Sequence, residues 1–105
     1  IRAREDRWFD RFRRNGDPRL LAKVFDRTAA ELWKVASHLC RDRHTAEDAV
    51  QGTFLVAIEA QRDWDAARPL LPWLLGLLLS RVVKRIVGRN RIKGAQAIPV
   101  RLIGR

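Results

Sequence analysis

The sequence predicts an all-α fold, a bundle of about four helices, and three observations carry that prediction. Apolar residues recur at three- and four-residue spacing along most of the chain, and no segment before the last few residues alternates as a strand would. Short polar breaks with helix-start and helix-stop residues divide the chain into four such segments. With 105 residues, of which 47% are hydrophobic, the chain can bury one modest core. We therefore predict one helical domain over residues 1–91, followed by a basic linker over residues 92–105.

The first two predicted helices have clear ends. Residues 1–14 scatter aromatic side chains among charges, as in a short amphipathic helix, and Gly16 ends that helix. Asp17 followed by Pro18 supplies an N-cap and a first-turn proline for a second helix, which runs to about Cys40.

The third predicted helix opens at a capping box and continues to about Gln61. Thr45 and Asp48 have the spacing of that motif. The side of this helix that we expect to be buried consists of Val50, Phe54, Ala57 and Ile58.

A polar loop over residues 62–68 leads to the fourth predicted helix. Pro69 and Pro72 flank its start, and we expect it to end near Gly88. Its apolar face consists of Trp73, Leu74, Leu77, Leu78, Val82 and Ile86.

The charge of the chain is strongly positive, since 22 lysines and arginines outnumber 12 acidic residues and give a formal net charge of +10. An excess of that size predicts a polyanionic partner, with nucleic acid as the leading candidate. On the fourth helix we expect a row of cations opposite the apolar face, where it can follow a phosphate backbone. These residues are Arg81, Lys84, Arg85 and Arg89, with Ser80 along the edge. The alternative is a solvated face whose charges only keep the domain soluble.

Trp64 lies in the polar loop directly before this basic helix. An exposed aromatic ring there could stack on an unpaired base. We favour the alternative, in which the ring folds back to cap the bundle and leaves the polar groups of the loop free to contact DNA.

Catalytic and metal-binding patterns are absent from the sequence. Cys40 is the only cysteine, and His38 and His44 do not stand in metal-ligand spacing with it or with each other. No phosphate-binding glycine loop or nucleophile motif occurs. The most apolar run, residues 70–79, is about half the ~20 residues that a membrane span needs. We expect a cytoplasmic protein that is not an enzyme and uses no cofactor or metal.

Three stretches of the chain resemble one known family, and they occur in that family's order. Residues 15–18 (NGDP) precede the first long helix, and residues 46–54 (AEDAVQGTF) resemble the family's usual AEDAVQETF. Residues 68–91 resemble its tryptophan-led helix with a basic end. The family is the bacterial sigma-70 factors, in their region 2, and more specifically the small extracytoplasmic-function type.

The resemblance implies that the third helix, the loop and the fourth helix each have a separate role. The third helix would dock on the coiled coil of the polymerase β′ clamp through Asp48, Gln51, Phe54 and Leu55. The loop would receive a base flipped from the non-template strand of the promoter −10 element, with Arg62, Asp63, Trp64 and Arg68 as its candidate residues. The fourth helix would hold the upstream edge of that element and assist melting through Ser80, Arg81, Lys84, Arg85 and Arg89. Anti-sigma factors are a further class of partner in this family, and a monomer is expected.

The sequence departs from the family's pattern at two positions. Gly52 replaces the usual glutamate, and Ser80 stands where asparagine is common. Region 4, which reads the promoter −35 element, does not follow, so we expect either a fragment cut at the linker or a degenerate protein, and we favour the fragment.

Two other interpretations are open to test. A stand-alone helix-turn-helix protein would use Gly52 as its turn and residues 53–61 as its recognition helix, but that segment is too apolar to read base edges. The other alternative is a generic nucleic-acid-binding domain, or a protein-interaction module that does not bind polymerase.

Overall fold

A computed structural model describes residues 2–92, with side chains described as far as Gly88. The elements are α1 (Arg4–Asn15), α2 (Pro18–Leu39), α3 (Arg43–Glu59), a 3-10 turn (Gln61–Asp63) and α4 (Leu70–Ile92). No strand occurs among these residues, which confirms the all-α prediction. The proposed linker lies outside the described residues, apart from Ile92 at the end of α4.

The junction between α1 and α2 follows the sequence prediction. Gly16 has a φ of 69°, and its N–H donates to the Phe12 carbonyl oxygen, which closes α1. Asp17 caps α2 by accepting the Arg19 N–H at 2.9 Å, with Pro18 in the first turn. Both ends therefore depend on local chemistry that a sequence displays directly.

The third and fourth helices differ from the prediction at their ends. Asp42, not Thr45, is the N-cap of α3, since its carboxylate accepts both the backbone N–H of Thr45 at 2.7 Å and its hydroxyl at 3.0 Å. The proposed capping box with Asp48 was therefore wrong, and α3 begins three residues earlier than a Thr45 cap would place it, at Arg43. The helix α4 continues through Gly88, because an isolated glycine weakens a helix without ending it.

The core lies where one stripe of each helix meets the others. α2 packs against both α1 and α3, and α3 packs against α4. The largest fully buried apolar side chains are Phe9, Val24, Leu32, Leu70, Leu74 and Leu78. Burying a leucine or phenylalanine of this kind contributes about 1.5–3 kcal/mol, so this shared core holds the helices in one arrangement.

The outer side of α4 is more apolar than expected. Leu74, Leu78 and Val82 are buried as predicted, but Ile86 is 50% exposed and Leu79 is 45% exposed. The assignment of Ile86 to the buried face was therefore wrong, because α3 covers only the strip of α4 that contains the first three residues.

Gly52 lies in the interior of α3, which runs unbroken on both sides of it. A helix-turn-helix with its turn at this glycine is therefore excluded. In the described part of the chain, no helix is long and apolar enough to cross a membrane. Among the same residues, no cluster of histidine, cysteine and acidic side chains could hold a metal ion.

Candidate functional site

One face of α3 remains open to solvent while the rest of the helix is packed. Asp48, Gln51 and Leu55 share this face because they stand at i, i+3 and i+7. Leu55 is 63% exposed, the highest value among the exposed large hydrophobic residues described. A large apolar side chain with polar neighbours on a rigid helix can serve as the anchor of a protein interface.

Phe54 does not belong to that open face. Its ring is only 9% exposed and packs on Phe25, with ring centroids 4.8 Å apart. Its ring lies beneath the open face of α3, as expected from its place among the residues that were predicted to be buried.

Two contacts join α3 to α4, one between Arg85 and Asp48 and one between Arg81 and Gly52, and we call these four residues the α3–α4 seam. In the first contact, Arg85 Nη1 donates to Asp48 Oδ2 at 3.1 Å. In the second, the Arg81 guanidinium lies over Gly52, so closely that a Cβ at position 52 would overlap it. Both arginines are exposed, so the row of cations on α4 stays a prediction, but these two side chains reach across the edge of α4 toward α3. They follow the buried Leu78 and Val82 by three residues each, and that spacing places them at the edge of the contact between the two helices.

The remaining basic-helix candidates lie elsewhere on α4. Lys84 is exposed and Ser80 is half-buried. Arg89 is in the helix, but its side chain lies outside the described part of the structure.

The loop before α4 divides into buried and exposed groups. Trp64 is 2% exposed, and its ring meets Phe9 edge-to-face with centroids 5.5 Å apart. This confirms the capping role that we favoured, and in this conformation the ring cannot stack on a base. Arg62, Asp63 and Arg68 are exposed at the same loop.

Arg13 anchors this loop, and the sequence analysis did not identify it. Its Nη1 donates to the carbonyl oxygens of Trp64 at 2.8 Å and Gln61 at 3.1 Å. Its guanidinium also lies 4.8 Å from the centre of the Trp64 ring, and its Nη2 pairs with Asp10 at 3.0 Å. The available signal was its position four residues after buried Phe9, which places it on the packed side of α1.

The Asp10 carboxylate completes this anchor. Partial burial opposes its ionisation, but the hydrogen bond from Arg13 and the charges of Arg14, Arg13 and Arg2 outweigh that effect and lower its pKa below the ordinary 3.8. The carboxylate therefore stays ionised at neutral pH and keeps the Arg13 side chain oriented.

A second contact from α1 fixes the start of α4. Asp6 is buried, and its Oδ1 accepts the Leu70 N–H at 2.8 Å. This satisfies one of the backbone donors that a helix start leaves unpaired, and a carboxylate there also complements the helix dipole. The loop is thus tied to α1 at both of its ends.

A cleft of about 370 Å³ lies between α1 and this anchored loop. Its lining residues are Asp10, Arg13, Arg14, Ile58, Glu59, Gln61 and Arg62. The cleft offers both guanidinium donors and carboxylate acceptors, which are the groups that hydrogen-bond the edges of an unpaired base.

No curated protein and no solved structure gives a significant match to this chain. The family model Sigma-70 region 2 matches residues 24–92, which is more than half of the chain and includes α3, the loop and α4. At the family level this domain binds RNA polymerase and recognises the promoter −10 element, and it is not an enzyme. Since the match covers more than half of the chain, the chain belongs to the sigma-70 family and its helical domain is that family's region 2.

Proposed function

We propose that this domain starts transcription as part of an extracytoplasmic-function sigma factor, acting in the cytoplasm as a monomer. Its α3 face docks on the coiled coil of the β′ clamp, and its loop and α4 engage the non-template strand of the −10 element. The exposed Leu55, one helical turn beyond Gln51 on the same face as Asp48, is the observation that carries this proposal. An anti-sigma factor that covered this face would compete with the polymerase for it.

The DNA-binding half of the proposal is supported by the exposed groups around the anchored loop. Arg62 and Arg68 can neutralise phosphates, and Lys84 presents a further cation on α4. The cleft beside Arg62 has room for an unpaired base, and a loop held in place by α1 does not have to be ordered when the base enters. Asp63, Ser80 and Arg89 remain candidates for contacts along the same path.

No bond is made or broken by the domain in this mechanism. Promoter melting requires a protein that prefers single-stranded DNA to duplex, and a base seated in a cleft offsets the few kcal/mol that unstacking costs. The domain therefore acts by differential binding alone.

The docking half is tested by replacing the exposed leucine. Leu55→Ala should weaken binding to a purified β′ clamp coiled-coil fragment by about tenfold, because truncating an apolar anchor at an interface costs more than ~1 kcal/mol. Leu79→Ala is the matched control, since Leu79 is another exposed leucine on a neighbouring helix. Equal effects of the two substitutions would contradict docking through α3.

The DNA half is tested with labelled single-stranded oligonucleotides of mixed sequence and with their duplexes. The domain should bind the single strands more tightly, with an affinity that falls steeply as salt rises. Binding of single strands without clamp binding would favour a generic nucleic-acid-binding domain. Clamp binding without any DNA binding would favour a protein-interaction module.

A further inference from the structure

The α3–α4 seam brings positive charge to the protein-docking side of the domain. Arg81 and Arg85 both reach toward α3, and the residues that they meet there are Gly52 and Asp48. Asp48 belongs to the proposed polymerase face. The two arginines therefore lie beside that face, although the family resemblance assigns them to DNA.

Gly52 is what allows Arg81 to take this position. Any side chain at residue 52 would begin with a Cβ in the space that the guanidinium occupies. In the described structure, Arg81 makes no hydrogen bond or ion pair with a protein group, so its donors stay available to a partner. The Arg81 guanidinium therefore supplies a positive charge at the place on α3 where position 52 has no side chain.

A groove of about 380 Å³ adjoins the seam, between the end of α2, the start of α3 and α4. Its cationic side chains are those of Arg41, Arg81 and Arg85, and its apolar walls are formed by Leu39 and Ile86. Those two apolar side chains are 45% and 50% exposed. The one acidic residue of the groove, Asp42, already accepts two hydrogen bonds from Thr45. Arg85 is already paired with Asp48, so the groove combines apolar contact area with two further arginines against the single carboxylate of Asp42, which leaves a net positive charge.

We propose that the seam and this groove form a second part of the polymerase-docking surface, one that accepts carboxylate side chains of the clamp. This inference rests on the proposed function. Arg81 and Arg85 then determine partner specificity, because a clamp segment with acidic residues is attracted and one with basic residues is repelled. DNA contact on α4 is left to Lys84 and the residues beyond it.

The test measures two affinities for each variant of the full 105-residue chain, one for the β′ clamp coiled-coil fragment and one for mixed-sequence single-stranded DNA. Arg81→Glu removes the seam cation and introduces a like charge opposite the clamp carboxylates. Lys84→Glu makes the same charge change three residues along the helix. Arg11→Glu, on the exposed side of α1, is the charge-matched control for both.

Arg81→Glu should weaken clamp binding by about tenfold or more, since it replaces an attraction to the clamp carboxylates by a like-charge repulsion. Its loss of DNA affinity should be no larger than that of Arg11→Glu. Lys84→Glu should show the opposite pattern, with the larger loss in DNA affinity. Arg81→Gln provides a milder variant, and it should flatten the salt dependence of clamp binding while circular dichroism shows the wild-type helix content.

The outcomes separate this inference from the proposed function. If Leu55→Ala weakens clamp binding but Arg81→Glu and Arg81→Gln do not, the seam is not part of the docking surface and only this inference fails. A loss of DNA affinity on Arg81→Glu with clamp binding intact would return Arg81 to the DNA surface. If the wild-type chain does not bind the clamp fragment at all, the proposed function fails and this inference fails with it.

Discussion

The anchoring of the loop by Arg13 yields the sharpest stability prediction. Replacing Arg13 by alanine removes two hydrogen bonds to the carbonyl oxygens of Gln61 and Trp64, together with the contact on the Trp64 ring. It also leaves the Trp64 carbonyl without this donor, while the Gln61 carbonyl keeps only the Trp64 N–H at 3.4 Å. We expect Arg13→Ala to destabilise the domain and to loosen the loop.

The magnitude follows from the burial of the side chain, which is 19% exposed. A hydrogen bond from a charged donor contributes about 1.5–3 kcal/mol, and a partly desolvated cation–π contact contributes ~0.5–2 kcal/mol. Because these terms share one guanidinium they do not add fully, and we expect a loss of about 3 kcal/mol in the free energy of unfolding. Arg14→Ala is the matched control, since Arg14 pairs with the same Asp10 but is 74% exposed, which predicts a loss below ~1 kcal/mol.

Urea unfolding followed by circular dichroism measures both free energies. Hydrogen exchange then reports on the loop itself, and the amides of residues 61–68 should exchange faster in Arg13→Ala than in Arg14→Ala, with the interior of α3 unchanged. A loss below 1 kcal/mol for Arg13→Ala, equal to that of Arg14→Ala, would refute the anchor.

Three further predictions concern helix ends. Asp6→Ala should cost about 1–3 kcal/mol in urea unfolding, because the buried Leu70 N–H loses its acceptor, and a loss below 0.5 kcal/mol would contradict this. Gly16→Ala should cost about 1 kcal/mol in the same assay, since a φ of 69° strains a residue with a Cβ, and an unchanged midpoint would argue against that backbone conformation. The backbone N–H and the hydroxyl of Thr45 lower the pKa of Asp42 below 3.8, so its cap stabilises α3 above that value and the contribution disappears as pH falls through the lowered pKa. Thermal melts from pH 6 to pH 2 should therefore show a smaller acid-induced loss in Asp42→Ala than in the wild type, and parallel curves would contradict the cap.

The parts of the fold that could be predicted depend on neighbours in sequence. Gly16, Asp17 and Pro18 act within one helical turn, so the end of α1 and the start of α2 follow from residue types alone. The burial of Trp64 was also predicted, because an aromatic ring in a short loop between amphipathic helices has a core within reach. Asp42 was missed as the cap of α3, since two polar residues near a helix start compete for that role and sequence spacing does not rank them.

The parts that could not be predicted depend on contacts between helices. Arg13 is one of several arginines in α1, and only the packing of α1 against the loop separates it from the others. The sequence analysis placed Arg81 and Arg85 in a row of cations opposite the apolar face of α4, and it did not predict their contacts with α3. The spacing within α4 places Arg81 near the helix contact, but the space that its guanidinium occupies is opened by the missing side chain of Gly52 on α3.

Site-specific crosslinking to intact core RNA polymerase tests the central claim most directly. A photoreactive residue is placed at Gln51 on the open face of α3, and at Glu31 on the exposed side of α2 as the control. Crosslinks from position 51 that map to the β′ clamp coiled coil, with none from position 31, are the predicted result. Crosslinks from position 51 to other parts of the polymerase, or none from a folded protein, would contradict docking through α3.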